Sequence, residues 1–215
     1  MHLPQGTQEI TCRFSLAVMS DQYVERILHA IQTVDTTDIE TRTDLLSTQY
    51  TGQAVTVLGA LQRFVYAAVD GNTHMTMDVN IMKHNPKPRS YAYETDTDKD
   101  NPLQLQLPSD TRHNDAEGLN RIQEDNELVI SKISFYPMEI EETQDQVGNI
   151  CNLIKEGGYV IHSGMYFCDL VSPISELFHM LSRIVDYVLL QENPIVITCN
   201  MSFASPSLSK VRLVV

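Results

Sequence analysis

The sequence predicts an α+β protein built from two tandem βαββαβ units with antiparallel sheets. The first observation behind this is an internal repeat. Ser15 and Met19 in RFSLAVM recur 119 residues later as Ser134 and Met138 in KISFYPM. Asn80 and Pro86 recur 120 residues later as Asn200 and Pro206, so one residue was gained between the landmarks. The second observation is that apolar spacing alternates between strand and helix periods in the same order within each copy. The third is a long acidic, proline-containing stretch between the copies. A long-period repeat of this kind reads as two copies of one structural unit.

In the first copy, Ile10, Cys12, Phe14, Leu16 and Val18 alternate with Thr11, Arg13, Ser15 and Ala17, the pattern of a half-buried strand. Ser20 or Asp21 is an N-cap candidate. Val24, Ile27, Leu28 and Ile31 follow at helical spacing. Two short strands fit residues 39–43 and 46–51. Val55, Leu58, Leu61, Val65 and Ala68 mark a second helix, stopped near Asp70-Gly71-Asn72. The closing strand, HMTMDVNIM, sets Met75, Met77, Val79 and Ile81 against Thr76, Asp78 and Asn80.

The second copy repeats the order. A strand over Val129 to Tyr136 precedes a helix with Val147, Ile150, Cys151 and Ile154 on one stripe, closed by Gly157-Gly158. Strands fit Tyr159–His162 and Met165–Asp169. Ser172-Pro173 reads as an N-cap and first-turn pair for a helix carrying Ile174, Leu177, Leu181, Ile184 and Val188. PIVITCNMSF is the last strand. This element order is the ferredoxin-like unit, whose helices cover one sheet face and leave the other open. Open-face candidates are Arg13, Ser15, Thr76, Asp78 and Asn80, then Lys132, Ser134, Thr198, Asn200 and Ser202. The organisation is a first repeat over 8–86, a linker over 87–127, a second repeat over 128–207 and a tail over 208–215. Leu103, Leu105 and Leu107 in the linker could line a sheet edge, and residues 114–122 could form helical turns.

Composition narrows the function. The chain has 15 Lys+Arg against 28 Asp+Glu, a net charge of −13, which argues against a nucleic-acid partner. Residues 94–127 hold ten acids and three bases, so this part of the linker carries −7. Cys12, Cys151, Cys168 and Cys199 form no C-x-x-C pair and read as small buried thiols. The stretch MHLPQGTQEITC lacks the basic and apolar regions of a signal peptide, and no run has membrane-spanning length. A soluble, cytoplasmic protein is expected.

No phosphate loop, H-E-x-x-H or nucleophile elbow is present. The histidines do not cluster at metal spacing, and no metal or cofactor is expected. The densest polar segment is TRTDLLSTQY, residues 41–50. Asp44 either caps the turn between the middle strands or accepts a hydrogen bond from a ligand's exocyclic amine, with Ser47 and Thr48 meeting ring nitrogens. Ser15 and Asn80 would line the same face. Met19 and Met138 are either core residues or thioethers flanking a flat ring. Tyr50 and Tyr166 could cover a cation through their ring faces. His162 is the histidine nearest the polar region of the second copy.

RFSLAVM at 13–19, TRTDLLST at 41–48, FYPM at 135–138, NDAEGL at 114–119 and NMSFASPS at 200–207 occur in order and with matching spacing. In these motifs the chain resembles the YkoF-like thiamin/hydroxymethylpyrimidine-binding family. The resemblance implies tandem ferredoxin-like, ACT-like domains that form a homodimer. It also implies non-catalytic binding of thiamin or its hydroxymethylpyrimidine precursor, one site per repeat, in salvage or transport, with a membrane transporter component as a possible partner. In the first copy Ser15, Asp44, Ser47, Thr48 and Asn80 stand where the family's polar site residues are expected, with Met19 and Tyr50 as stacking groups. In the second, Asp44 aligns with Ser163 or Gly164, so the carboxylate is missing, while Ser134, Met138, Asn200 and Ser202 remain. The rival expectations are an ACT-like regulatory module for another metabolite and a small ferredoxin-like enzyme.

Overall fold

The structure is a computed structural model and describes residues 9–84, 127–138, 143–192 and 194–210. The linker motifs, including NDAEGL, the 103–107 leucines and the 114–122 segment, lie outside the described residues. The element order is β1 (Glu9–Val18), α1 (Tyr23–Thr33), β2 (Glu40–Thr43), β3 (Thr48–Gln53), α2 (Ala54–Ala68) and β4 (Met75–Lys83) in the first repeat. The second has β5 (Leu128–Pro137), α3 (Thr143–Glu156), β6 (Val160–Ser163), β7 (Phe167–Pro173), α4 (Ile174–Leu189) and β8 (Ile195–Phe203). Both repeats are therefore βαββαβ, an α+β fold of tandem ferredoxin-like units.

The two repeats share one antiparallel sheet, ordered β2-β3-β1-β4-β8-β5-β7-β6. The seam is the β4–β8 ladder, which pairs Asp78 with Asn200, Val79 with Cys199 and Asn80 with Thr198. Because Asn80 and Asn200 are repeat equivalents, as are Asp78 and Thr198, the ladder is pseudo-symmetric about the Val79–Cys199 pair. Closing the seam removes two sheet edges that the isolated repeats would expose. The remaining edges are the four-residue strands β2 and β6, short enough to discourage further pairing.

One face of the sheet carries the core. Ile10, Cys12, Phe14, Met75, Met77, Val79 and Ile81 are buried there beneath the helices, as are their counterparts on β5, β7 and β8. Phe14 sits at the centre of the first half, edge-on to Tyr50 at 4.9 Å and tilted on Phe64 at 5.1 Å. Cys12, Cys168 and Cys199 are buried. Desolvation raises all three thiols, Cys168 to about 11, so they stay protonated at neutral pH. Among the described residues, no helix is long and apolar enough to cross a membrane.

Element boundaries differ from the sequence reading in two instructive places. Ser172 does not cap α4. It is the penultimate residue of β7, Pro173 takes the N-cap position, and the buried Ser172 hydroxyl has no partner. The strand runs straight into the helix, so the serine faces the core rather than the helix N-terminus. At α1, Gln22 is the cap residue and makes no side-chain capping bond, while Ser20 Oγ accepts from the Gln22 amide at 3.2 Å.

The turn that stops α2 is held by a carboxylate. Asp70 Oδ1 accepts from the Asn72 and Thr73 amides at 3.0 and 2.8 Å, and Oδ2 pairs with Arg26 of α1 at 2.7 Å. Desolvation would raise this carboxyl. The Thr73 and Asn72 amides, the Thr73 hydroxyl and Arg26 outweigh it and hold the value down at about 2. A depressed folded-state value means the contribution is present above the model value of 3.8 and is lost as pH falls through about 2. Asp70→Asn should therefore lower Tm at pH 7 and lose its effect near pH 2. Thermal melts at the two pH values check this, and an equal penalty at both would contradict it.

Candidate functional site

The face opposite the helices is open and polar, and strand register orders its side chains into two rows. One row runs Arg42, Gln49, Arg13, Asn80, Thr198, Ser134 and Phe167. The next runs Ser15, Asp78, Asn200, Lys132, Asp169 and His162. The sequence-predicted residues Ser15, Asn80, Ser134, His162, Asn200 and Ser202 are thus brought to one surface. Ser202 is bonded to His74 Nε2 at 3.0 Å.

A depression of about 190 Å³ opens on this face in the first repeat. Arg13 and Ser15 of β1 and Asp78 and Asn80 of β4 form its polar lining, and Leu46 and Ser47 of the β2–β3 turn form a wall. Asp44 builds that turn. Its Oδ1 accepts from the Leu46 and Ser47 amides at 2.9 Å each and from the Ser47 hydroxyl at 3.1 Å. Its Oδ2 pairs with the Arg13 guanidinium, whose Nε donates to Ser47 Oγ at 2.6 Å. The Leu46 amide leads the contacts that hold the Asp44 carboxyl below the ordinary carboxylate value. Arg13 and Asp44 are 52% and 47% exposed, and an ion pair this wet adds little to stability. Its importance is positional: one carboxylate fixes both the turn and the guanidinium that floors the pocket.

The second repeat keeps the backbone of this turn and replaces its chemistry. Asp44 N donates to Ser47 O at 2.9 Å, and Gly164 N donates to Phe167 O at 2.9 Å. Gly164 is therefore the structural counterpart of Asp44, and Phe167 that of Ser47. The two replacements are linked. A Cβ on Gly164 would lie 2.3 Å from Phe167 Cε1, so the ring occupies the space a side chain at 164 would need. Lys132, the counterpart of Arg13, places Nζ 4.8 Å from the Phe167 ring centre and 3.5 Å from Asp169 Oδ1. Asp169 Oδ2 meets His162 Nδ1 at 3.2 Å.

Two expected ligand residues lie elsewhere. Tyr50 pairs with Cys12 and points to the helix side, where it is 2% exposed and packs on Phe14. It cannot stack on anything at the open face. Thr48 pairs with Phe14 on the same buried side and shares a hydroxyl contact of 3.2 Å with Thr43. β3 begins at Thr48, and the two-residue period sends Thr48 and Tyr50 inward and Gln49 and Thr51 outward. The core reading of Met19 and Met138 is also corrected, because each is 63% exposed. Their backbones are equivalent: Met19 N donates to His74 O and Met138 N to Pro194 O, both at 3.0 Å. Sequence reasoning placed Arg13 on this face but missed its pairing with Asp44. Among the described residues, no three His, Cys, Asp or Glu side chains gather as a metal site.

Fold and site together describe a tandem ferredoxin-like protein with a polar open-face pocket in its first repeat. Residues 9–87, the first repeat, match the YKOF-related Family. The chain is also 24% identical over 210 residues to YkoF of Bacillus subtilis (strain 168), covering 94% of each chain. That relative is provisionally named as an HMP/thiamine-binding protein. The resemblance read from the motifs is shown by both comparisons.

Asp44→Ala should release the Leu46 and Ser47 amides while leaving the Gly164 turn intact. Amide hydrogen exchange should show faster exchange at 46 and 47 and none at 164–167. Unchanged protection at Leu46 and Ser47 would refute the turn-holding role.

Proposed function

We propose that the protein binds thiamin or its hydroxymethylpyrimidine precursor, without catalysis, in the open-face pocket of the first repeat. The observation that carries this reading is the pocket's hydrogen-bonding inventory. Ser15, Asp78 and Asn80 line a depression sized for a small ring, and none of the three side chains is fully engaged among the described residues. A heteroaromatic ring bearing an amine presents donors and acceptors along its edge, which such a set can meet. The pocket lies in the repeat that matches the YKOF-related Family, and the Bacillus subtilis relative is named for HMP/thiamine binding.

In this reading Arg13, held by Asp44 and Ser47, borders the ring, and the exposed Met19 thioether is available to flank it. Ser134, Met138, His162, Asn200 and Ser202 form the corresponding surface of the second repeat. The protein acts as a cytoplasmic homodimer in thiamin salvage or transport, handing its ligand to a transporter or pathway partner. The exposed pairs Leu45-Leu46 and Met165-Tyr166 at equivalent turns support self-association, since apolar surface of this kind favours burial.

Isothermal titration calorimetry with thiamin, thiamin diphosphate and hydroxymethylpyrimidine tests the reading. Micromolar or tighter binding of thiamin or the pyrimidine is expected, and sedimentation of the same sample should report twice the 24.3 kDa chain mass. No heat with any of the three ligands would remove the function, and amino-acid ligands would then be titrated. A 24.3 kDa species in sedimentation would remove the dimer.

A further inference from the structure

The pocket contains two carboxylates, and hydrogen-bond accounting separates their roles. Asp44 is consumed by the protein: Oδ1 takes three donors from its own turn, and Oδ2 takes Arg13. Ser47 Oγ is likewise engaged, accepting from Arg13 and donating to Asp44. Asp78 differs. Its Oδ1 accepts from Asn200 Nδ2 across the β4–β8 seam, and its Oδ2 has no partner among the described residues. The side chain is exposed and lines the depression beside Ser15, its cross-strand neighbour. An ionised carboxylate has about four acceptor positions, so Asp78 keeps capacity for an incoming donor.

We propose that Asp78, rather than Asp44, is the ligand's acceptor and the residue that selects an amine-bearing ring. This rests on the aminopyrimidine reading of the pocket. Asp78 Oδ2 takes the exocyclic amine, Asn200 holds the carboxylate's other oxygen, and Ser15 and Asn80 complete the ring edge. Asp44 is a positioning residue that acts through Arg13. The seam makes the selection one-sided. Thr198 stands in the second repeat where Asp78 stands in the first, and the carboxylate that the second repeat does have, Asp169, is taken by Lys132 and His162. One aminopyrimidine therefore binds per chain.

Calorimetry with thiamin and with oxythiamin, which carries a carbonyl in place of the exocyclic amine, tests this. Wild-type protein should bind about one thiamin per chain and prefer it to oxythiamin. Asp78→Asn preserves shape and can still meet Asn200. It should weaken thiamin binding about tenfold, the scale of a bond to a charged acceptor, and erase the preference over oxythiamin. Asp44→Asn should weaken both ligands alike and keep the preference, because it acts through the guanidinium. Circular dichroism confirms that each variant is folded. Wild-type thiamin affinity and preference in Asp78→Asn would overturn the assignment, as would loss of preference in Asp44→Asn alone. Two thiamin per chain would overturn the one-sidedness. Failure of the wild-type protein to bind thiamin or hydroxymethylpyrimidine would instead overturn the reading of the pocket itself, and this inference with it.

Discussion

The antiparallel seam between β4 and β8 is the constraint on which the rest of the structure depends. Two ferredoxin-like units, each too small to bury a deep core, gain one continuous sheet and one shared helical layer. The ladder also fixes which side chains meet across it. Register on the seam places Asp78 beside Asn200, 122 residues away, and Asn80 beside Thr198, so polar groups from both repeats contribute to one surface. A slip of one residue would turn all of these groups inward and Val79 and Cys199 outward. The buried face of β4 and β8 therefore specifies the geometry of the exposed face.

Duplication gave the chain two equivalent turns, and the structure shows them put to different uses. In the first, a carboxylate gathers two amides, a hydroxyl and a guanidinium, and the pocket wall follows from that gathering. In the second, an aromatic ring lies under a lysine, and the polar groups pair among themselves. Backbone geometry is retained while the hydrogen-bonding groups the two turns present differ. Pseudo-symmetry of fold thus does not carry symmetry of chemistry.

The sequence made the architecture legible because apolar periodicity is a local signal. Alternation in β1 and β4 identified Arg13, Ser15, Asp78 and Asn80 as open-face residues, and register places them there. It failed at β3, where the strand starts at Thr48 and its parity sends Thr48 and Tyr50 to the core. Short strands with polar residues on both faces carry little information about which face is which. It failed again at Ser172-Pro173, a local capping signal overridden by a strand that continues to the helix. Partnerships were the least legible. Arg13 meets Asp44 across 31 residues, and only the folded register shows that this contact occupies the carboxylate the turn motif advertises.

The pairing of Gly164 with Phe167 also constrains how the two halves can change in the course of descent. Any side chain at 164 collides with the ring, so restoring the carboxylate there first would meet a steric barrier. Removing the ring would strip Lys132 of its aromatic neighbour and leave it Asp169 alone. The two positions are therefore tied together, because the side chain that fits at 164 depends on the ring at 167. While the ring keeps its place, the second turn has no room for the carboxylate that organises the first, and the two turns stay chemically distinct on one backbone.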